Sequence, residues 1–288
     1  MSRQQILERE RRWARPAGFA AIAAAPLYII SVAVDQGGSV PITGLDTDRY
    51  RAIDSASGEL LVALLLRSVT FVLLLFPLLY LFRAAQARSE RVSGPMVGFV
   101  FIGPLLLAAQ SIVLWVAQAQ VASDFVDQVG AGGDIYTLLD DLIEDSTALE
   151  VAASLLFPAV LGLLVVMIYV PLQAMRAGLL TRFFATLGMA LGAATLLIVP
   201  AISLLALVIW FGWLGFVFLD RVPKGRPPAW DAGTAIPWPK PGEQPAEPAP
   251  AEGVVDGDAT EVFAGTDEPK DHSARRERAR KRKRKRRQ

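Results

Sequence analysis

The chain has 288 residues, 53% of them apolar, with no cysteine, one histidine and a formal net charge of +1. The absence of cysteine excludes disulfides and cysteine-ligated metal sites, and the lone His272 excludes HExxH and multi-histidine sites and argues against a Ser-His-Asp triad. A mean hydropathy of +0.39 is high for a soluble domain. We therefore expect a non-enzymatic membrane protein, with no catalytic residues, metal or cofactor.

Six apolar segments predict an all-α, polytopic bundle of transmembrane helices. A helix needs about 20 apolar residues to cross a hydrocarbon core that is about 30 Å thick. After a basic N-terminus at 1–16, the predicted spans occupy 17–219. Their bounds are 17–34, 60–82, 96–119, 151–175, 183–199 and 202–219.

Two of these assignments have alternatives. The apolar run 183–219 would form a single helix about 55 Å long, so we expect Pro200 to divide it into two spans. The first segment ends near a small-x-small pattern at 31–33 that is typical of signal-peptide cleavage. Its length and Pro26 favour a retained span, and cleavage would leave five spans with the tail on the same side.

Basic residues alternate with the predicted spans. Arginines cluster before the first span, after the second and after the fourth, whereas no Lys or Arg occurs between Arg91 and Arg176. The positive-inside rule then places both termini in the cytoplasm. The arginine- and alanine-rich composition is associated with GC-rich bacterial genomes, so we expect a bacterial plasma membrane.

The acidic loop between the third and fourth spans contains a predicted amphipathic helix at 134–148. Ile135, Leu138, Leu139, Leu142 and Ile143 recur at helical spacing, and carboxylates occupy the opposite face. This pattern is typical of a helix that lies at the outer membrane interface or caps the bundle. The acidic face is either simply solvated or forms a lid or cation-attracting vestibule.

A change in composition after the last span predicts a disordered linker at 220–274, which is rich in proline and carboxylates. Trp230 and Trp238 are unusual there, and we expect them to anchor in the membrane interface. The motif DATEVF makes Thr260 a candidate phosphosite, because acidic residues precede it and a hydrophobic residue follows at plus three.

Arg67 is the charge most deeply placed in a predicted span, about 11 Å from its outer end. A buried charge is costly in a bilayer, so Arg67 needs partners unless it snorkels to the surface. Gln110 is predicted at a similar depth, and Glu150 lies nearer the surface. A cluster of Arg67, Gln110 and Glu150 would either bind an anionic group in a wet cavity or form an internal strut.

A polybasic tail at 275–288 ends the chain and leaves the rest of it net negative. Anionic lipid headgroups, a ribosome or other nucleic acid, or topology alone would each account for such a tail. Its basic residues are Arg275, Arg276, Arg278, Arg280, Lys281, Arg282, Lys283, Arg284, Lys285, Arg286 and Arg287.

Arg67 and the tail together resemble two features of the YidC/Oxa1 insertases, whose tails contact the ribosome. The cytoplasmic hairpin of that family has no counterpart here, since the loop after the second span is short. The run RPPAWDAGTAIPWPKPGE resembles that of uncharacterised actinobacterial multi-pass proteins. We expect a scaffold or regulatory subunit that acts through its tail. The alternative is a transporter or insertase-like protein that uses a cavity around Arg67.

Overall fold

The computed structural model describes residues 2–37, 46–129, 134–197, 200–223 and 225–238. The chain divides into two units, Met1–Pro241 and Gly242–Gln288. The second unit lies outside the described residues. The expectations for Thr260, for the polybasic tail and for the linker beyond Trp238 therefore fall on residues that the structure does not describe.

Helices account for nearly all of the described residues, and no strand occurs among them, which confirms the expected all-α fold. The helices are α1 (Arg3–Gly37), α2 (Asp46–Ser55), α3 (Ser57–Arg88), α4 (Val97–Gln128), α5 (Ile135–Glu144), α6 (Thr147–Arg176), α7 (Arg182–Leu197), α8 (Pro200–Phe218) and α9 (Ala229–Ala232). A 3-10 turn, Gly94–Met96, precedes α4.

Four of the described helices are long and apolar enough to cross a membrane, namely Arg3–Asp35, Ser57–Arg88, Gly94–Gln128 and Thr147–Arg176. Helices α7 and α8 are equally apolar but have 16 and 19 residues. Their lengths, about 24 and 28 Å, fall just below the thickness of the hydrocarbon core. The structure thus supports a helical membrane protein with four candidate spans. The count of six requires α7 and α8 to cross as well and stays a prediction.

The surface of the bundle is unusually apolar. Phe183, Phe157, Ile202 and Phe19 each expose at least 60% of their area. A soluble protein rarely exposes large apolar side chains to this extent, whereas acyl chains can cover them in a membrane. The exposed aromatic and aliphatic side chains therefore fit a bundle that is surrounded by acyl chains.

Neighbouring helices pack antiparallel and at close range. A Cβ atom added to Gly103 of α4 would lie 2.7 Å from the Leu163 nitrogen of α6, so these helices meet backbone to backbone. Helix α8 runs back along α7, since the Trp210 indole of α8 donates to the carbonyl of Phe184 in α7 at 3.0 Å. Helices α3, α4 and α6 continue through internal prolines. Pro200 begins α8, close to the predicted break.

The end of the bundle where α1 finishes is acidic, and we call it the acidic end. Helix α4 continues nine residues beyond its predicted boundary and packs there against α5 and the unpredicted α2. Tyr50 and Ile53 of α2, Phe125 of α4 and Leu139 of α5 form a small second core. Helix α5 lies within the range expected for the amphipathic helix and turns Leu139 inward.

The opposite, basic end gathers the start of α1, the end of α3, the loop between α6 and α7, and the end of α8. Residues 225–238, here called the strap, pack onto that loop. The indoles of Trp230 and Trp238 donate to the carbonyls of Leu179 and Leu180 at 2.9 and 2.8 Å. Gly178 has φ of +76° and ends α6, so the loop can meet the strap closely.

The strap corrects the expectation of disorder from residue 220 onward. Trp230 is only 2% exposed, and its ring packs against those of Tyr80 and Phe218. The composition of the linker predicted too little apolar surface to order it. Two tryptophans and a proline-stiffened backbone are enough to fix its first part on an existing bundle. Trp230 and Trp238 therefore contact protein rather than only the membrane interface.

Candidate functional site

Arg67 lies on α3, ten residues or about 15 Å from the start of that helix. Its Nη2 donates to Oδ2 of Asp35, at the end of α1, across 2.7 Å. The side chains of Arg67 and Asp35 remain 30% and 42% exposed. The pair therefore connects two neighbouring helices without being fully removed from solvent.

A cavity of about 350 Å³ opens beside this ion pair. Its walls come from α1, α3, α4 and α6, with single residues of α7 and α8, and Ile53 of α2 closes one side. The lining residues are Tyr28, Val32, Asp35, Ile53, Leu60, Leu64, Arg67, Phe71, Leu107, Gln110, Ser111, Leu114, Trp115, Gln118, Leu156, Val160, Leu163, Thr195 and Leu204. Most of them are apolar, so the few polar groups of the cavity are surrounded by hydrocarbon side chains.

Helix α4 supplies most of the polar groups of the cavity apart from the ion pair. Gln110 is only 8% exposed and makes no hydrogen bond to another described residue. Ser111 donates to the carbonyl of Leu107 at 2.8 Å, so its hydroxyl oxygen keeps free lone pairs. Gln118 lies two turns further along the same helix. These residues form a polar stripe on one face of α4.

Two buried donors on the cavity lining have no partner among the described residues. They are Nε of Arg67 and Nε1 of Trp115. An unpaired buried polar group costs about 1–3 kcal/mol, so such groups are rare in native proteins. Both atoms can only donate. Two residues of the cavity lining, Arg67 and Trp115, therefore each carry a buried donor that no described residue satisfies.

The predicted cluster is brought together in part. Arg67 and Gln110 line the same cavity, as expected from their similar depth. Glu150 does not line it, because α6 begins at Thr147, capped by Ser146, and Glu150 lies in the first, exposed turn. Asp35 supplies the carboxylate instead.

Sequence reasoning missed Asp35 because it follows the predicted first span. One signal could have identified Asp35: it is an acidic residue at the outer end of α1, and α1 neighbours the helix that carries Arg67.

The acidic residues near the cavity do not converge on a common point. Within the described part of the chain, no group of three His, Cys, Asp or Glu residues could hold a metal ion. Above the cavity, burial in the α2–α4 contact raises the pKa of Tyr50 above its usual value of 10.0. Tyr50 is therefore neutral at physiological pH and acts as a packing residue.

Comparisons of this chain with protein-family models, with curated proteins and with solved structures found no match. The resemblances to YidC/Oxa1 insertases and to actinobacterial multi-pass proteins stay predictions. The candidate site must therefore be interpreted from its own geometry. That geometry combines apolar walls, one ion pair and unpaired donors at one level of the bundle.

Proposed function

We propose that this protein is a non-enzymatic integral membrane protein that binds an acceptor-bearing ligand in the Arg67 cavity, in the manner of a transporter or an insertase. One observation carries the proposal: two residues that line the cavity, Arg67 and Trp115, each carry a buried donor, Nε and Nε1, that has no partner in the described part of the chain. A ligand that supplies acceptor oxygens would satisfy them.

The charge balance of the cavity favours an anionic or strongly polar acceptor over a cation. Asp35 already receives a hydrogen bond from Arg67, so it is a poor partner for a second positive charge. Gln110 can donate as well as accept. The apolar walls suit the hydrocarbon part of the same ligand, or an apolar peptide segment that enters with it.

The absence of cysteine makes the cavity testable by single-cysteine labelling. We expect Gln110→Cys to react with water-soluble methanethiosulfonate reagents, and an anionic reagent to react faster than a cationic one. Adding Arg67→Gln should remove that preference. Thr70→Cys is the matched control, because Thr70 is fully buried and outside the cavity lining. Failure of Gln110→Cys to react would overturn the proposal of an accessible cavity.

The same labelling, done in right-side-out and inverted vesicles, tests the orientation. We propose a bacterial plasma membrane with both termini in the cytoplasm. The start of α1 and the strap lie at the same, arginine-rich end of the bundle, which supports this orientation. Labelling of Gln110→Cys from the cytoplasmic face alone would contradict it.

A second proposed function is a scaffold or regulatory subunit that recruits partners through the polybasic tail. Its structural support is the strap: Trp230 and Trp238 fix the chain to the basic end, from which the remaining residues continue. The proposed partners are anionic lipid headgroups or a ribosome or other nucleic acid. A phosphate on Thr260 would weaken binding of the tail to either kind of partner, because it adds negative charge to the chain.

Full-length protein and a form ending at Ser273, purified in parallel from native membranes, test this function. Tail-dependent recovery of ribosomes or RNA would support the insertase-like role. If the form ending at Ser273 loses only the co-purifying anionic lipid, the tail binds the membrane surface. Identical partners for both forms would contradict recruitment through the tail, and intact-mass analysis would show whether Thr260 is modified.

A further inference from the structure

Arg67 is paired with Asp35 through only one of its nitrogen atoms. Nε and Nη2 lie on one edge of the planar guanidinium, and a carboxylate that accepts from both forms a bidentate pair. Oδ2 of Asp35 accepts from Nη2 at 2.7 Å, whereas no described residue accepts from the buried Nε. The ion pair therefore uses only part of the capacity of this edge to bind a carboxylate.

Asp35 can leave Arg67 at little cost. Its side chain is 42% exposed and lies near the end of α1, so water can solvate the released carboxylate. An ion pair that is this exposed contributes little to stability. A second carboxylate that enters the cavity can therefore compete with Asp35 for the guanidinium.

The charges of the cavity limit such a competitor to one negative charge. Among the described residues that line the cavity, Arg67 and Asp35 alone are charged. A monocarboxylate that replaces Asp35 keeps one negative group beside the guanidinium, whereas a dianion would add a negative charge that no lining residue balances.

The size and the walls of the cavity limit the rest of the competitor. Phe71, Leu107 and Leu163 are among the apolar lining residues, and they suit an alkyl chain. A volume of about 350 Å³ is near the lower end of the range for ligand pockets. The chain must therefore be of moderate length.

We propose that the ligand of the Arg67 cavity is a monocarboxylate with an alkyl chain of moderate length, and that its carboxylate replaces Asp35 on Arg67. The ligand carboxylate accepts from Nε and Nη2 together, and Asp35 turns to solvent. Asp35 is then a competitor built into the chain, which occupies Arg67 when the cavity is empty. This inference rests on the ligand-binding function proposed above and names its substrate class.

Protection of a single cysteine in the cavity tests this exchange. Ser111→Cys is a nearly isosteric reporter, because Ser111 lines the cavity and the chain has no native cysteine. The full chain in nanodiscs is labelled with a small uncharged methanethiosulfonate reagent, and the decanoate concentration that halves the labelling rate is measured. Decanol and decylphosphonate carry the same alkyl chain and serve as the uncharged and the dianionic comparison.

Two variants, made in the reporter chain, each remove one member of the ion pair. We expect Asp35→Asn to lower the half-protecting concentration of decanoate about fivefold, because the competitor loses its charge. Arg67→Gln should raise that concentration about tenfold, because the bidentate pair is lost. Glu59→Gln is the matched control and should leave it unchanged, since it removes an exposed carboxylate of α3 outside the cavity lining.

Three results would overturn this inference and leave the ligand-binding function standing. Unchanged or weaker decanoate protection in Asp35→Asn would mean that Asp35 does not compete, and misfolding cannot produce the expected gain. Equal protection by decanoate and decanol would mean that the apolar walls alone bind the ligand. Stronger protection by decylphosphonate would mean that the site does not select a monocarboxylate. Failure of Ser111→Cys to react at all would instead contradict an accessible cavity, and both proposals with it.

Discussion

Two of the three arginines of helix α3, Arg67 and Arg88, lie in very different surroundings. At the basic end, all five N–H donors of Arg88 are satisfied, by the Glu10 carboxylate and by the carbonyls of Ala84 and Ala229. Near the acidic end, Arg67 has one such bond to a described residue, Asp35, and a buried Nε that no described residue accepts from. The side chain of Arg88 is fully buried, whereas that of Arg67 is 30% exposed.

This difference separates a structural ion pair from a binding group. A buried charge is tolerated only when its hydrogen bonds are complete, and Arg88 meets that condition within the protein. Its guanidinium also lies 5.5 Å from the Trp230 ring centroid, which links the strap to α1 and α3. Arg67 does not meet the condition, and it lines a cavity that can admit the missing acceptor.

The largest effect is expected at the basic end. Arg88→Met leaves the buried Glu10 carboxylate without its partner, so we expect about 3–5 kcal/mol of destabilisation. The strap loses the donors to Ala229 at the same time. Denaturant unfolding of the purified protein in detergent, followed by helical circular dichroism, measures the change.

The double variant Glu10→Leu with Arg88→Met is the control for this effect. Replacing both members of a buried ion pair by apolar residues is often nearly neutral, so much of the loss should be recovered. A double variant as unstable as Arg88→Met alone would mean that the stability comes from the strap contacts and not from the ion pair.

A smaller effect is expected where the strap meets the α6–α7 loop. A Cβ atom added to Gly178 would lie 2.0 Å from the carbonyl oxygen of Ile236, and the backbone there has positive φ. Gly178→Ala should therefore cost about 1–3 kcal/mol and displace the strap. Limited proteolysis near Trp238 should become faster. Gly225→Ala, also at positive φ but with open space around the added carbon, controls for backbone strain alone.

Removing one hydrogen bond of the strap should cost less still. Trp230→Phe keeps an aromatic ring next to Tyr80 but removes the N–H that donates to Leu179, so we expect about 1 kcal/mol. Trp238→Phe loses an equivalent bond to Leu180 at a more exposed site. Thermal unfolding should rank Trp230→Phe as the less stable of the two, and the reverse order would place the main anchor at Trp238.

The fold was predictable wherever the length of an apolar segment determined whether it forms a membrane-crossing helix. Apolar runs longer than the bilayer determine helices, and the charge clusters that flank them indicate which helix ends lie together. The resulting all-α bundle was correct. Helix α2 was missed because its only large apolar residues are Tyr50 and Ile53, which become buried in the second core with Phe125 of α4. Such a helix depends on tertiary contacts and leaves a weak periodic signal.

The candidate site was predictable only in depth along each helix. Counting residues from the helix ends placed Arg67 and Gln110 at one level, and both line the cavity. Which side chain faces Arg67 depends on how each helix is rotated about its axis and on which helices are neighbours. A single sequence does not specify either. For that reason Glu150 was chosen where Asp35 lies. The strap was missed for a related reason, since composition does not reveal that a binding surface for Trp230 exists on the α6–α7 loop.

The smallest effect on stability is expected at Arg67. Arg67→Met leaves Asp35 unpaired, but that carboxylate is 42% exposed and can turn to solvent, so the change should stay within about 1 kcal/mol. The same variant removes an unpaired buried donor, which offsets part of the loss. Labelling of Gln110→Cys by anionic reagents should nevertheless slow to the rate for cationic ones. A loss of stability comparable to that of Arg88→Met would identify Arg67 as a second strut, and the contrast between the two ends of α3 would no longer support a binding site.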